Sequence, residues 1–356
     1  MPVRTAVVGL HFGYSFACLY QQHPESVLAA ICDLDPETRE RVGSQFPQAR
    51  RCQDLHSVLA DPQIDAVHLC TPAPQHAAQA IAAMEAGKHV MCAVPAATSL
   101  EDCQRLLAAQ RRSGCKYMMA ETSNYYPQVL AALDLQARGE LGELVYCEAD
   151  YLHPLESLCW QADGTRTWRF GFPPMFYPTH CTGPIIRLSG QRMREVVCFG
   201  TGKVEPGLEE GYGCPFALQV ALFRLADGTA AKVAIGFSNF ARTGEVRFAF
   251  YGTKKSIEGN EQRADQLFWR KGYEYGGEHL QFPLRPDLLP AEIAGEGGHL
   301  GSHPHLVHAF IMSLVGDTEP PINAREAVAY TAPGQCAHLS SLQGGKPVAI
   351  PDYDGG

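Results

Sequence analysis

The chain has no apolar run approaching the ~20 residues that cross a bilayer, which excludes an ordinary membrane-spanning helix. Basic residues are scarce. There are 29 Lys and Arg against 38 Asp and Glu, a net charge of -9 with a pI near 5.9, which excludes a broad nucleic-acid surface. The thirteen cysteines contain no CxxC pair, and no two lie closer than eleven residues. The N-terminus, Met1 to Gly9, runs straight into a strand-like segment without the three regions of a secretory signal. Scattered thiols in odd number behind such a start read as reduced, mostly buried cysteine in a cytoplasmic protein. A G-x-S-x-G elbow, a P-loop and an H-E-x-x-H helix are also missing, which removes serine-hydrolase and kinase readings and weakens a metal-enzyme one.

What remains is ordinary in bulk and informative in order. The chain is 356 residues long, 46% hydrophobic and 19% charged, enough for two globular domains. Short apolar runs at Val3–Val8, Val27–Cys32, Ala66–Cys70, His89–Cys92 and Lys116–Ala120 alternate with amphipathic stretches. These stretches are Ser15–Gln22, Asp35 to about Phe46, a short helix from Ser57 to Leu59, Gln75–Ala86 and Leu100–Ser113. Strands alternating with helices imply right-handed crossovers, hence an α/β, doubly wound parallel sheet over residues 1–121. Residues 122–356 read differently. A helix at Gln128–Arg138 precedes strand-like runs at Leu144–Tyr151, Val196–Thr201, Phe216–Phe223, Ala230–Ser238 and Val246–Tyr251. With the hairpin signal Asp227-Gly228 and helices at His305–Val315 and Ala324–Leu342, this is an α+β domain on a mostly antiparallel sheet. Its last helix is free to pack back on the first domain.

Strand, then Gly9-Leu10-His11-Phe12-Gly13, then helix is the setting of a dinucleotide-binding turn, where backbone N–H groups meet a pyrophosphate. The G-x-G-x-x-G spacing is broken, with His11 at the second glycine and Tyr14 at the third. Asp33 ends the second strand about twenty residues on, where a carboxylate accepts a ribose diol and repels a 2′-phosphate, favouring NAD. Asp33 and Asp35 capping the next helix is the alternative.

Cys70-Thr71-Pro72, His76, Met84-Glu85-Ala86-Gly87-Lys88-His89-Val90, Pro95, Gly139-Glu140-Leu141-Gly142-Glu143 and Tyr251-Gly252-Thr253-Lys254 occur in order along nearly the whole chain. In these blocks the sequence resembles the glucose–fructose oxidoreductase, inositol dehydrogenase and MocA (Gfo/Idh/MocA) family. The resemblance implies an N-terminal Rossmann domain, a C-terminal domain with a large open-faced sheet, and a nicotinamide cofactor. It also implies contacts to that cofactor from Thr71, Pro72, His76, Pro95 and Glu121, and sugar, cyclitol or polyol substrates. The chain departs from the family where chemistry is concerned. The Glu-Lys-Pro signature reads Ala93-Val94-Pro95, and the Asp-x-x-x-His pattern reads Phe176-Tyr177-Pro178-Thr179-His180.

His180 is therefore the leading acid–base candidate, with Tyr177 as a phenol that donates or relays a proton. Trp168 and Arg169 suit a sugar-stacking face and an anion contact, while Asn124 and Thr179 join the substrate set. Gly297 to His308 holds four histidines in ten residues. His299 and His303, with His180, would make a metal site, but a substrate-facing loop without metal is the reading taken. Three functions stay open: an NAD(H)-dependent oxidoreductase on a sugar, cyclitol or glycoside; a glycosidase or lyase that oxidises its sugar transiently with tightly held NAD; and a non-catalytic NAD or sugar binder. The exposed sheet face points to a homodimer or homotetramer.

Overall fold

The structure is a computed structural model that describes all residues except 203–213, 238–245, 261–262, 272–273, 281–284, 296 and 354–356. The chain divides into two compact units, 1–125 with 285–328, and 126–284 with 329–356. The expected contiguous division at 121/122 is thus corrected. Residues 285–328 join the first unit because an apolar helix within them covers that unit's sheet, a pairing that no local periodicity announces.

In the first unit, β1 (Val3–Val8), β2 (Ser26–Cys32), β3 (Arg50–Cys52), β4 (Ala66–Leu69), β5 (His89–Cys92) and β6 (Tyr117–Met119) form a parallel sheet. Its order is β3-β2-β1-β4-β5-β6, the doubly wound arrangement. The crossovers carry α1 (Leu10–Gln22), α2 (Pro36–Gly43), α3 (Leu55–Leu59), α4 (His76–Glu85) and α5 (Leu100–Ser113). Local chemistry sets several ends. Asp35 accepts the N–H groups of Glu37 and Thr38 with Pro36 in the first turn of α2. Ser99 caps α5, which stops at left-handed Gly114. The Gly87-Lys88-His89 block has a structural reason, since buried Lys88 donates to the carbonyls of Asp61 and Ile64 at 2.7 and 2.8 Å.

Residues 285–328 add α8 (Ser302–Val315), which packs on α1 and on the 3-10 turn Thr122–Tyr125. Two histidine contacts hold α8 to α1. His303 Nδ1 lies 3.0 Å from Ser15 Oγ, and His23 Nε2 lies 3.0 Å from His308 Nδ1. His23 Nδ1 accepts the Glu25 N–H, so the neutral ring carries its proton on Nε2 and donates to His308.

The second unit is built on a nine-stranded sheet. Its strands are β7 (Leu144–Leu152), β8 (Met193–Thr201), β9 (Leu218–Leu225), β10 (Ala230–Gly236), β11 (Val246–Gly252), β12 (Lys255–Asn260), β13 (Arg263–Lys271), β14 (Glu274–Leu280) and β15 (Val348–Ala349). The order is β14-β13-β12-β11-β7-β10-β9-β8-β15, with only β7 and β10 parallel. Ser238, the expected end of β10, lies outside the described residues. The Gly139–Glu143 and Tyr251–Lys254 blocks prove to be one lock. Thr253 and Lys254 donate to the carbonyls of Glu143 and Leu141, and a Cβ on Gly252 would sit 2.1 Å from the Leu141 oxygen.

One face of this sheet is apolar. Cys147, Ala149 and Tyr151 of β7 alternate inward and align with Ala231, Val233 and Ile235 of β10. Helix α7 (Thr179–Ser189) packs on β7, β10 and β11, and α6 (Pro127–Ala137) packs on α7, β11 and β12. The α9 helix (Ala324–Leu342) reaches this unit from residue 329 onward. The opposite face carries Tyr146, Glu148, Asp150, Lys232, Arg247 and Tyr251, joined by Arg247 and Lys232 ion pairs to both carboxylates. The sidechains of Phe199 and Leu222 stand more than half exposed on it.

Candidate active site

In the first unit, β1 ends at Val8 and the chain turns at Gly9 with φ +88°. A Cβ there would lie 2.5 Å from the Cys70 carbonyl oxygen, so only glycine fits. Helix α1 starts at once, at Leu10 rather than at the expected Ser15, so His11, Phe12 and Gly13 occupy its first turn. Gly13 is needed for clearance, because its Cβ would meet Val7 Cγ1 at 2.7 Å. The pair seats a helix N-terminus against β1 and β4, a cradle that fits a pyrophosphate. Tyr14, at the third glycine position, donates its phenol to Gln45 Oε1 at 2.6 Å.

Asp33 and Asp35 separate cleanly. Asp35 does the capping, whereas Asp33 accepts the Leu10 N–H on Oδ2 at 2.8 Å and the Asp35 N–H on Oδ1 at 3.0 Å. The carboxylate is thereby fixed to the glycine turn with lone pairs remaining for a ribose diol.

At the carboxyl edge of the sheet, His76 takes a different part from the one expected. Its ring is buried, with Nε2 2.7 Å from the Thr71 carbonyl and Nδ1 2.8 Å from the Pro95 carbonyl. Both nitrogens are spent on the backbone, so His76 clamps the loop after β4 to the loop after β5. Burial lowers its pKa, and the two carbonyls work against that shift. Thr71 donates to Gln79 Oε1, and Pro72 precedes the 3-10 turn Ala73–Gln75. Val94, before the cis peptide to Pro95, is buried and apolar and offers no ammonium. Glu121 and Asn124 are wholly buried, and Glu121 Oε1 accepts the Ser123 N–H and O–H.

The histidine loop is corrected in part. Helix α8 begins at Ser302 after left-handed Gly301, so His303 is helical. Its ring is 2% exposed, stacks on Phe16 at 4.1 Å and is pushed by burial to a pKa of about 3. It packs into this unit's core rather than standing in an open loop. His299 is exposed at φ +45° and sits edge-on to Phe12 of the glycine turn at 5.3 Å. Among the described residues, no cluster of three or more His, Cys, Asp or Glu side chains is placed to hold a metal ion.

In the second unit, His180 is the second residue of α7, after the 3-10 turn Pro174–Phe176, Tyr177 and Pro178. Two rings flank it, and a third backs them. Tyr151 lies edge-on at 4.8 Å, Tyr177 edge-on at 5.2 Å and stacked on Tyr151 at 6.0 Å, and Phe237 borders both tyrosines. Tyr151 escaped the sequence reading, although the strict alternation of β7 would have put it on the inward face. Thr179 is wholly buried, and so is Cys181. Trp168 is half-buried with the Arg169 guanidinium 4.3 Å over its ring, and Trp168, Phe172 and Phe176 form an edge-to-face ladder. The sequence-derived residues thus gather into two sets, one at the glycine turn and sheet edge of the first unit and one around His180 in the second.

A doubly wound sheet, a glycine turn that tolerates no Cβ and a carboxylate at the end of β2 define a nicotinamide-dinucleotide-binding protein. Residues 3–121 match the family model of the Gfo/Idh/MocA oxidoreductases, NAD-binding Rossmann fold. The match lies in the N-terminal domain, and the cofactor is NAD. A relative named glycosyl hydrolase family 109 protein, from Stenotrophomonas maltophilia (strain K279a), is 26% identical over 92% of this chain and 84% of its own. Among solved structures, levoglucosan dehydrogenase in complex with NADH superposes with a TM-score of 0.86 at 20% identity, covering 99% of this chain and 100% of its own. An oxidoreductase domain protein from Kribbella flavida gives 0.84 at 19% identity, with coverages of 99% and 100%. No helix of the described residues is long and apolar enough to cross a membrane.

Proposed function

We propose that the protein is an NAD(H)-dependent oxidoreductase acting on a hydroxyl or ketone of a sugar, cyclitol or glycoside, with His180 as its acid–base residue. The observation that carries this reading is the aromatic cage at His180, with Tyr151 and Tyr177 edge-on to its ring and Phe237 against both tyrosines. NAD, when bound, supplies the two-electron acceptor or donor. Gly9, Gly13 and the first turn of α1, with His11, Phe12 and His299 beside it, receive its pyrophosphate, and Asp33 receives the ribose diol. The loops of Thr71, Pro72 and Pro95, clamped by His76, shape the rest of that pocket with Glu121 behind them.

In the oxidative direction the imidazole takes the hydroxyl proton as the carbon–hydrogen bond on the same carbon opens, and it returns the proton in reverse. The aromatic cage excludes water from that transfer, and the Tyr177 phenol donates to the substrate oxygen. With valine at 94 and phenylalanine at 176, the family's ammonium and carboxylate are absent, so proton handling rests on His180 and Tyr177. Trp168 supplies a stacking face, Arg169 an anion contact, and Asn124 and Thr179 are polar groups of the substrate set.

The glycosyl hydrolase family 109 relatives favour a second reading, in which the sugar is oxidised transiently, its glycosidic bond is broken, and the electrons return to the product. Absorbance of NADH over a panel of polyols, pyranosides and aryl glycosides separates the two. Net NADH supports the first; released aglycone without net NADH, dependent on bound NAD, supports the second. NAD binding without turnover of any of these would leave the non-catalytic alternative. A cytoplasmic location and a homodimer or homotetramer assembled through the open sheet face complete the proposal; the exposure of Phe199 and Leu222 supports the assembly.

A further inference from the structure

Gln219 is a wholly buried polar residue near the start of β9, on the face where Ala221 and Phe223 also point inward. Three of its hydrogen-bonding positions are used. Its Oε1 accepts the Met175 N–H at 3.0 Å, and its Nε2 faces Ser341 Oγ at 2.6 Å and His338 Nδ1 at 3.2 Å. Met175 lies in the 3-10 turn that leads through Tyr177 and Pro178 to His180.

Helix α9 supports the same turn with one face. Tyr330, Gly334 and His338 recur every four residues. The Tyr330 carbonyl accepts the Thr182 hydroxyl of α7 at 2.6 Å. A Cβ on Gly334 would lie 2.1 Å from the Met175 carbonyl oxygen, so helix and turn meet backbone to backbone. His338 lies edge-on to Phe176, 5.1 Å between centroids. Gln219 ties these parts to the sheet, and the proton of neutral His338 is placed on Nε2 because Nδ1 accepts from the amide.

We infer that Gln219 is a positioning residue, fixing the turn that delivers Tyr177 and His180 and holding His338 in one tautomer. Its catalytic consequence rests on the acid–base role proposed for His180. Gln219→Met keeps the volume and removes all three hydrogen bonds. Misplacement of a catalytic group by about 1 Å costs about 10²-fold in rate, so kcat is expected to fall by about that factor while KM and NAD affinity stay within about twofold. Hydrogen exchange at the Met175 amide is expected to accelerate by about tenfold, for one lost hydrogen bond. Gln219→Glu retains the acceptor and is expected to restore Met175 protection, but its second oxygen no longer donates to His338 Nδ1.

Wild-type kcat in Gln219→Met, in a protein that His180→Ala inactivates, overturns the inference. Full activity in His180→Ala overturns instead the acid–base reading, and exchange at Met175 then still decides whether Gln219 fixes the turn. Where Gln219→Met does not fold, Ser341→Ala removes the 2.6 Å partner together with the Ser341 bond to the His338 carbonyl. It is expected to lower kcat several-fold at unchanged melting temperature, and an unchanged kcat counts against the inference.

Discussion

Acid should unfold the first unit, and the size of the effect follows from three buried imidazoles. His68 on β4 is wholly buried, and burial with the nearby His303 pushes its pKa to about 3. His303 is held at about 3 by burial and His299, and His23 at about 4 by burial and His308, with Glu292 acting the other way. In the unfolded chain each ring titrates near 6.5. The unfolded state therefore binds more protons between pH 6.5 and the native values, and stability is full above pH 6.5 and falls as pH falls. At pH 4.5 each ring costs about 2.7 kcal/mol, and the three together about 8 kcal/mol as a ceiling. That is comparable with the whole stability of an ordinary domain, about 5–15 kcal/mol. His76 and His89 shift in the same direction, whereas the second unit has a half-buried counterpart in His338. Denaturant unfolding from pH 7.5 to 4.5, with hydrogen exchange to localise the loss, reads the effect. The first unit should open while the second stays protected, and His68→Leu should flatten the pH dependence by about a third. Stability independent of pH across 6.5 to 4.5 would refute the assignment of these rings as neutral.

Gly9→Ala forces a left-handed alanine onto the Cys70 carbonyl, so calorimetry should show loss of NAD binding and a destabilisation above the roughly 1–2 kcal/mol of the backbone strain alone. Gly13→Ala meets the side chains of Val7 and Cys70 rather than backbone and carries no left-handed strain, so it should weaken NAD binding less than Gly9→Ala. Asp33→Ala should raise the dissociation constant for NAD and narrow its preference over NADP; an unchanged ratio argues against ribose recognition by Asp33. His180→Ala should lower kcat by about 10²–10⁴ without changing NAD affinity.

Where sequence and structure agree, the information was local. The limits of β1, β5 and α5 coincide with the apolar runs and caps that announced them, Val3–Val8, His89–Cys92 and Leu100–Ser113. Helix α1 was clipped to Ser15 because His11, Phe12 and Gly13 resemble a loop; the glycine is there for the clearance of Val7, which only the sheet reveals. The strands β12 to β14 were not anticipated, since segments such as KSIEGN and EYGGEHL lack an apolar alternation. His303 reads in sequence as a residue of a substrate-facing loop amid glycines, and the structure has it as a packed helical residue, because left-handed Gly301 starts a helix there.

The chemistry around His180 shows why the rest could not be read from one chain. His180 itself stood out, since a histidine after Tyr-Pro-Thr at a helix start is a local feature. The groups that hold it are not local. Tyr151 comes from the end of β7, Gln219 from β9, and Gly334 and His338 from a helix more than 150 residues further on. In isolation Gln219 is an unremarkable polar residue in a strand, and Gly334 an unfavourable one in a helix. Each is explained only by the Met175 backbone that both approach. Val94 and Phe176 are apolar, and the structure sets aromatic contacts around His180. Loss of turnover in His180→Ala with NAD binding retained is the kinetic signature that this arrangement demands; turnover that survives the substitution would mean another residue does the proton transfer.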